Sequence, residues 1–291
     1  MREYETTFKS CNSETYPKPI TAYVVVPDQA DGRTGLMHFA HGWGGNRYGY
    51  REMQQEFADR YNLVCVATEF RQSGYDFDPV AGLGSDRPYD ASHYQVLDCL
   101  NALRHVLGLH PELDDRRILS FGGSQGGHVA MLMALFCPAT FALAIGACGL
   151  YYLDEAIIEW AGRDFSEDEL AARDAARMAP RIQCPLVLVH GTEDETVPVS
   201  HTRQLEAALR EAGKSVDARY IEGADHALAP VTNRRDATVE LADELTRSAR
   251  REGPSDFAEG TLVRIPCVDR ALELDWSKPM EDVDLMQWKP L

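Results

Sequence analysis

Short apolar runs, each closed by proline, glycine or a polar loop, alternate with longer helical stretches along most of this chain. "TAYVVVP", "LMHFAHG" and "LVCVATEF" in the N-terminal third read as strands, and "RYGYREMQQEFADRY" between the last two as a helix. "SHYQVLDCLNALRHVLG" predicts a second helix, with Ser92 as its N-cap and its end at Gly108. "RRILSF" is a strand, and a run of glycines separates it from the apolar helix "HVAMLMALF". "FALAIGACG" and "PLVLVHG" are apolar at nearly every position, as strands covered on both faces must be. "SHTRQLEAALREAGK", "SVDARYIEG" and "RDATVELADELTRSARR" complete the pattern as helix, strand and helix. Alternation without a linker predicts one α/β domain over residues 1–253: a mostly parallel central sheet with helices on both faces. Two segments interrupt it. Residues 150–183 read as helices inserted between two strands, a small lid, and residues 254–291 as an extension packed on the domain.

The glycine run asks for an explanation, because glycine is costly inside a strand or a helix. "GGSQGG" at 122–127 contains Gly-x-Ser-x-Gly between a strand and a helix. That arrangement holds a serine on a tight turn with its hydroxyl projecting above the sheet edge, while the helix N-terminus adds N–H groups and a positive dipole end. Ser124 is therefore the candidate nucleophile. A serine needs a base for its proton, and an imidazole base needs a carboxylate to fix its tautomer. Asp194 follows the strand "VLVHG" and His226 follows "YIEGAD", so Ser124, Asp194 and His226 each lie just beyond the carboxyl end of a strand, where open α/β sheets bind ligands. Glu193 and Glu195 flank Asp194 as alternative orienting acids, and Asp225 reads as a loop residue. The backbone N–H groups of Trp43, in "HGWGG", and of Gln125 are the candidate oxyanion donors. His128, His190 and His201 read as structural, and His38 and His105 as strand or helix fillers. No histidine pair has metal-ligand spacing beside a cysteine or carboxylate cluster, so neither metal nor cofactor is expected.

Composition narrows the setting. A formal net charge of −17 argues against a nucleic-acid partner. No apolar run approaches the roughly 18 residues of a membrane span, and the first residues show no apolar signal-peptide core. The seven cysteines are odd in number, scattered and without a C-x-x-C, so a reducing cytoplasm is the expected compartment.

With "GGSQGG" at 122–127, "HGWGG" at 41–45 and "HGTEDETVPVSHTRQLEAALREAGKSVDARYIEGADHAL" at 190–228, residues 19–250 resemble an α/β-hydrolase. Within that superfamily they are similar to the catalytic domain of prolyl-oligopeptidase-type enzymes and their esterase relatives. "GGSQGG" also resembles acetyl-ester hydrolases, whose Arg-Gly-Gln motif has "FRQSG" as its nearest counterpart here. The resemblance implies a serine hydrolase, and the first expectation is cleavage of a carboxylic ester through an acyl-enzyme. The alternatives are an aminopeptidase-like or prolyl-oligopeptidase-like amide hydrolase, or a non-catalytic binder on the same fold. Expected partners are a small-molecule ester or a short peptide, without nucleic acid or membrane; a homo-oligomer is compatible with the sequence. The long acidic and aromatic loop at 71–94, with Asp76, Asp78, Asp86, Asp90 and Tyr89, is a candidate pocket wall. Tyr75 and Phe77 in that loop, and Tyr151, Tyr152 and Trp160 in the insertion, are the candidate substrate-binding residues.

Overall fold

The computed structural model describes residues 1–11, 19–74 and 89–291. Among them, eight strands form the central sheet: β1 (Arg2–Phe8), β2 (Ile20–Val26), β3 (Gly35–Ala40), β4 (Leu63–Glu69), β5 (Ile118–Gly123), β6 (Leu143–Ala147), β7 (Leu186–Gly191) and β8 (Val216–Ile221). Their spatial order is β1-β2-β4-β3-β5-β6-β7-β8. β1, β2 and β4 pair antiparallel, and every pair from β4 to β8 is parallel.

The near-continuous apolar runs feed two cores by simple alternation. Ala22, Val24, Leu36, Val64 and Val66 point to one face of the sheet, where α2 (His93–Leu109), α3 (Gln125–Phe136) and α6 (Ser200–Glu211) pack. Tyr23, Val25, Met37, Phe39, Cys65 and Ala67 point to the other, against α1 (Arg51–Tyr61) and α7 (Arg234–Ser248). The insertion carries two short helices, α4 (Glu155–Ala161) and α5 (Glu167–Ala171). Leu150, Leu153, Ile157 and Ala161 form a third small cluster with Tyr89, Ala91 and Val197.

Three local readings change. Residues 47–50 lie before α1 rather than in it. The expected glycine turn contracts to Ser124 alone, because Gly122 and Gly123 complete β5 while Gly126 and Gly127 already belong to α3. Residues 254–291 are an antiparallel sheet, β9 (Leu262–Pro266), β10 (Arg270–Asp275) and β11 (Met286–Pro290), preceded by the one-turn α8 (Asp256–Glu259). Its inward residues Val263, Ile265, Leu272, Leu274 and Trp276 join the core on the α2–α3 side, and Trp276 donates its indole N–H to the Phe136 carbonyl that ends α3. No helix among the described residues is long and apolar enough to cross a membrane.

Candidate active site

Ser124 joins β5 to α3 with φ 59° and ψ −130°, a backbone conformation that costs a residue with a side chain roughly 1–3 kcal/mol. The turn closes because its flanking glycines lack Cβ atoms. A Cβ on Gly122 would lie 1.9 Å from the Gly126 carbonyl oxygen, and one on Gly126 would lie 2.0 Å from that of Ala40. The loop after β3 passes directly by the serine, where a Cβ on Gly42 would sit 3.2 Å from Ser124 Cβ. The Gly42–Trp43 peptide thus runs beside the nucleophile, and the Gln125 N–H stands at the start of α3.

Asp194 lies in the loop beyond β7 and His226 in the loop beyond β8. His226 Nδ1 is 2.7 Å from Asp194 Oδ2, which leaves Nε2 as the nitrogen available to a serine hydroxyl. Asp194 Oδ1 accepts the N–H groups of Thr196 and Val197, both at 2.9 Å. His190 Nε2 also approaches Oδ2, at 3.1 Å. Burial alone would raise the Asp194 carboxyl. The donors from His190, His226 and the Val197 amide outweigh it and hold the group well below the ordinary carboxylate range. Asp194 therefore stays ionised as the acceptor that fixes the His226 tautomer. Glu193 and Glu195, by contrast, are exposed.

Two contributors were not legible as site residues, and a third, Tyr89, was legible only as part of a pocket wall. His190 closes β7, and its Nδ1 lies 2.6 Å from Thr202 Oγ1 while Nε2 lies 2.9 Å from the Val197 carbonyl, so it braces the Asp194 loop. Arg234, first in α7, donates to the His226 carbonyl at 2.7 Å and lies against Gly123, tying the histidine loop to the elbow. Tyr89 is described below. The only sequence signal for the first two is a lone polar residue ending an apolar strand and an arginine after an Asn helix cap. Cys148, His190 and Asp194 place ligand atoms within 4.8 Å of one another. Both His190 nitrogens have oxygen partners and Asp194 already serves His226, so the group is built as a hydrogen-bonded support, not an open ligand set.

Of the expected pocket residues, Tyr75 and Phe77 lie outside the described residues, as do Asp76, Asp78 and Asp86. Tyr151 has no accessible surface, its ring lying where a Cβ on Gly146 or Gly149 would go, so it belongs to the core and offers no face to a ligand. Tyr152 stacks on His201 at 4.1 Å, and His201 in turn pairs with Asp154. Trp160 is 46% exposed and meets Trp43 edge-on at 6.3 Å, beside the candidate oxyanion loop. Asp90 is buried, with Oδ2 accepting the Gln95 N–H, so it caps α2 instead of facing solvent.

A strained serine at a strand-to-helix turn, with an Asp–His pair delivered by the loops after β7 and β8 of a mostly parallel sheet, defines an α/β-hydrolase. Residues 89–246 match the Peptidase S9, prolyl oligopeptidase family, and the chain belongs to that family. The peptidase YuxL of Bacillus subtilis strain 168 is 24% identical over 72% of this chain and 34% of its own length. Dipeptidyl peptidase 4 of Bos taurus is 26% identical over 60% of this chain and 23% of its own. The chain thus spans about a third or less of these two relatives. Among solved structures, acylaminoacyl peptidase in complex with Z-Gly-Gly-Phe-chloromethyl ketone superposes with a TM-score of 0.71 at 20% identity, covering 87% of this chain and 42% of that one. The uncomplexed acylaminoacyl peptidase of Pyrococcus horikoshii gives the same TM-score, 0.71, at 19% identity, again over 87% and 42%. These likenesses establish the fold.

Proposed function

We propose that this protein is a serine peptidase cleaving an amide bond in short peptides through an acyl-enzyme. Ser124 Oγ attacks the carbonyl carbon as its proton passes to His226 Nε2. The carbonyl oxygen takes the negative charge and is met by the N–H groups of Trp43 and Gln125. Collapse breaks the C–N bond, and the proton on Nε2 goes to the departing amine; water then repeats the sequence on the acyl-enzyme. The observation that carries the reading is the 2.7 Å His226–Asp194 contact, taken together with a serine held at a strand-to-helix elbow. Family membership favours peptides over the carboxylic esters that the motifs first suggest, and esters remain suitable reporter substrates for the same residues. The insertion serves in this reading as a lid, with Trp160 walling the substrate pocket. Cys65, Cys99, Cys137, Cys148, Cys184 and Cys267 are free and buried, which supports a reducing compartment such as the cytoplasm.

Fluorophosphonate labelling separates an enzyme from a binder: the wild-type protein should be labelled and Ser124→Ala should not. N-acyl-aminoacyl and dipeptidyl p-nitroanilides, run against p-nitrophenyl acetate and butyrate, then rank amide against ester. Higher kcat/KM on every ester than on every anilide, after correction for leaving-group reactivity, would return the assignment to an esterase.

A further inference from the structure

Both candidate oxyanion donors are backbone N–H groups, and a backbone donor is only as well aimed as the peptide that carries it. Trp43 sits among Gly42, Gly44 and Gly45, residues that restrain a loop least. An oxyanion hole works when its donors are fixed before the charge arrives, so something outside that loop must hold the Trp43 peptide.

Tyr89 touches both donor residues. Its ring stacks on the Trp43 indole at 4.0 Å between centroids, with the planes 24° apart. Its hydroxyl donates to Gln125 Oε1 at 2.9 Å. The rest of the Gln125 amide is also engaged, since Nε2 donates to Gln95 Oε1 at 2.8 Å, an oxygen that also accepts the Ser92 N–H. Tyr89 and Gln125 are 3% and 1% exposed, so water cannot replace either bond.

Tyr89 itself is held by the insertion. Its N–H reaches the Ala161 carbonyl at 3.4 Å, and Arg163 Nε donates to its carbonyl at 3.2 Å. The fully buried Arg173 donates to the next two carbonyls, Asp90 at 3.0 Å and Ala91 at 3.1 Å. The two arginines leave residues 89–91 little freedom to move independently of α4 and α5.

We propose that Tyr89 is the positioning residue of the oxyanion hole, a single side chain that sets Trp43 and Gln125 relative to each other and couples both to the helical insertion. The proposal rests on the serine-peptidase reading and goes beyond it. Movement of the insertion, as when substrate enters beneath it, is passed to both donor residues through Tyr89, whereas the Trp160 contact reaches Trp43 alone.

The test compares Tyr89→Phe, which keeps the stack and loses the hydroxyl, with Tyr89→Leu, which loses both. A donor misplaced by about 1 Å costs on the order of 100-fold in rate. Tyr89→Leu should therefore lose roughly 100-fold in kcat and Tyr89→Phe about 10-fold, with KM within about 2-fold of wild type. Affinity for a peptidyl trifluoromethyl ketone, whose adduct carries the oxyanion, should fall in parallel with kcat/KM. Affinity for the corresponding peptide acid should not. Unchanged kcat and ketone affinity in Tyr89→Phe, even with a lowered melting temperature, would overturn the proposal, as would a rise in KM at constant kcat. Should Tyr89→Leu fail to fold, the near-isosteric phenylalanine variant decides alone. Failure of the fluorophosphonate to label wild-type Ser124 would instead remove the active-site reading beneath it.

Discussion

Ser124 occupies a backbone conformation that only its neighbours make tolerable, and this gives the site its sharpest dependence on single atoms. A methyl group at Gly126 would meet the Ala40 carbonyl oxygen at 2.0 Å, and backbone cannot give way as a side-chain tip can. Gly126→Ala should therefore shift the elbow and lose activity even where circular dichroism shows a folded protein. The acid is equally specific. Asp194→Asn keeps the size of the group but presents the wrong partner to His226 Nδ1, so kcat/KM should fall by about 10⁴. Glu193→Gln and Glu195→Gln, on exposed side chains, should leave it unchanged. A damaging Glu195→Gln with a tolerated Asp194→Asn would reassign the acid. Ser124, Asp194 and His226 were legible as candidates because each follows a recognisable strand, buried throughout in β5 and β7 and alternating in the half-exposed β8. His190 and Arg234 were not, since their roles exist only once the β7 and β8 loops and the start of α7 lie side by side.

At the scale of elements, the insertion divides its aromatics between two jobs that spacing cannot distinguish. Tyr151 fills the space above Gly146 and Gly149 with no exposure, whereas Trp160 stands half-exposed against Trp43. Tyr151→Ala should thus cost about 3–5 kcal/mol through the cavity it leaves, seen in denaturant unfolding, with the ratio of bulky to small substrate turnover unchanged. Trp160→Ala should do the reverse, keeping stability and shifting that ratio toward bulky substrates by roughly 10-fold. A stability loss without a changed ratio in Trp160→Ala would remove the lid from substrate selection. The long helices and apolar strands could be read from period alone, but β1 and β9–β11 could not. They are short, alternate apolar with charged residues and include Pro266 and Pro290, and their pairing is set by distant partners. One such partner is Asp168 of α5, whose Oδ1 accepts the consecutive N–H groups of Val268, Asp269 and Arg270. This carboxylate stitches the C-terminal sheet to the insertion.

Over the whole molecule, the α/β fold with its mostly parallel sheet was legible because most of its strands are covered on both faces, which leaves no polar alternation to confuse them with loops. The same double coverage buries groups that composition alone would place at the surface, and this sets how the protein responds to acid. His38 and His128 are fully enclosed, and burial pushes each imidazole down to about 3 from an ordinary value of 6.5. His93 is driven down for the same reason, with nearby Arg173 and Arg163 adding to it. In the unfolded chain these imidazoles take up a proton near pH 6.5, while in the folded protein His38 and His128 resist until about pH 3 and His93 is held neutral well below its ordinary value. The unfolded state therefore binds more protons through that window, and folding stability falls as pH drops from 6.5 toward 3. Each imidazole contributes roughly 1 kcal/mol per pH unit. The net charge of −17 works the other way, since protonating carboxylates relieves repulsion, but those charges are spread over a screened surface and the histidine term dominates. Urea midpoints measured from pH 8 to pH 4.5 should be nearly flat above 7 and then decline steeply. His128→Gln retains a donor for the Arg173 carbonyl, which His128 Nε2 meets at 2.7 Å, and removes one titrating group. Its acid-side slope should be shallower than the wild-type slope by roughly 1 kcal/mol per pH unit, the share of one imidazole. A stability profile that stays flat to pH 4.5, or a variant slope equal to wild type, would show that these histidines take up protons as readily folded as unfolded.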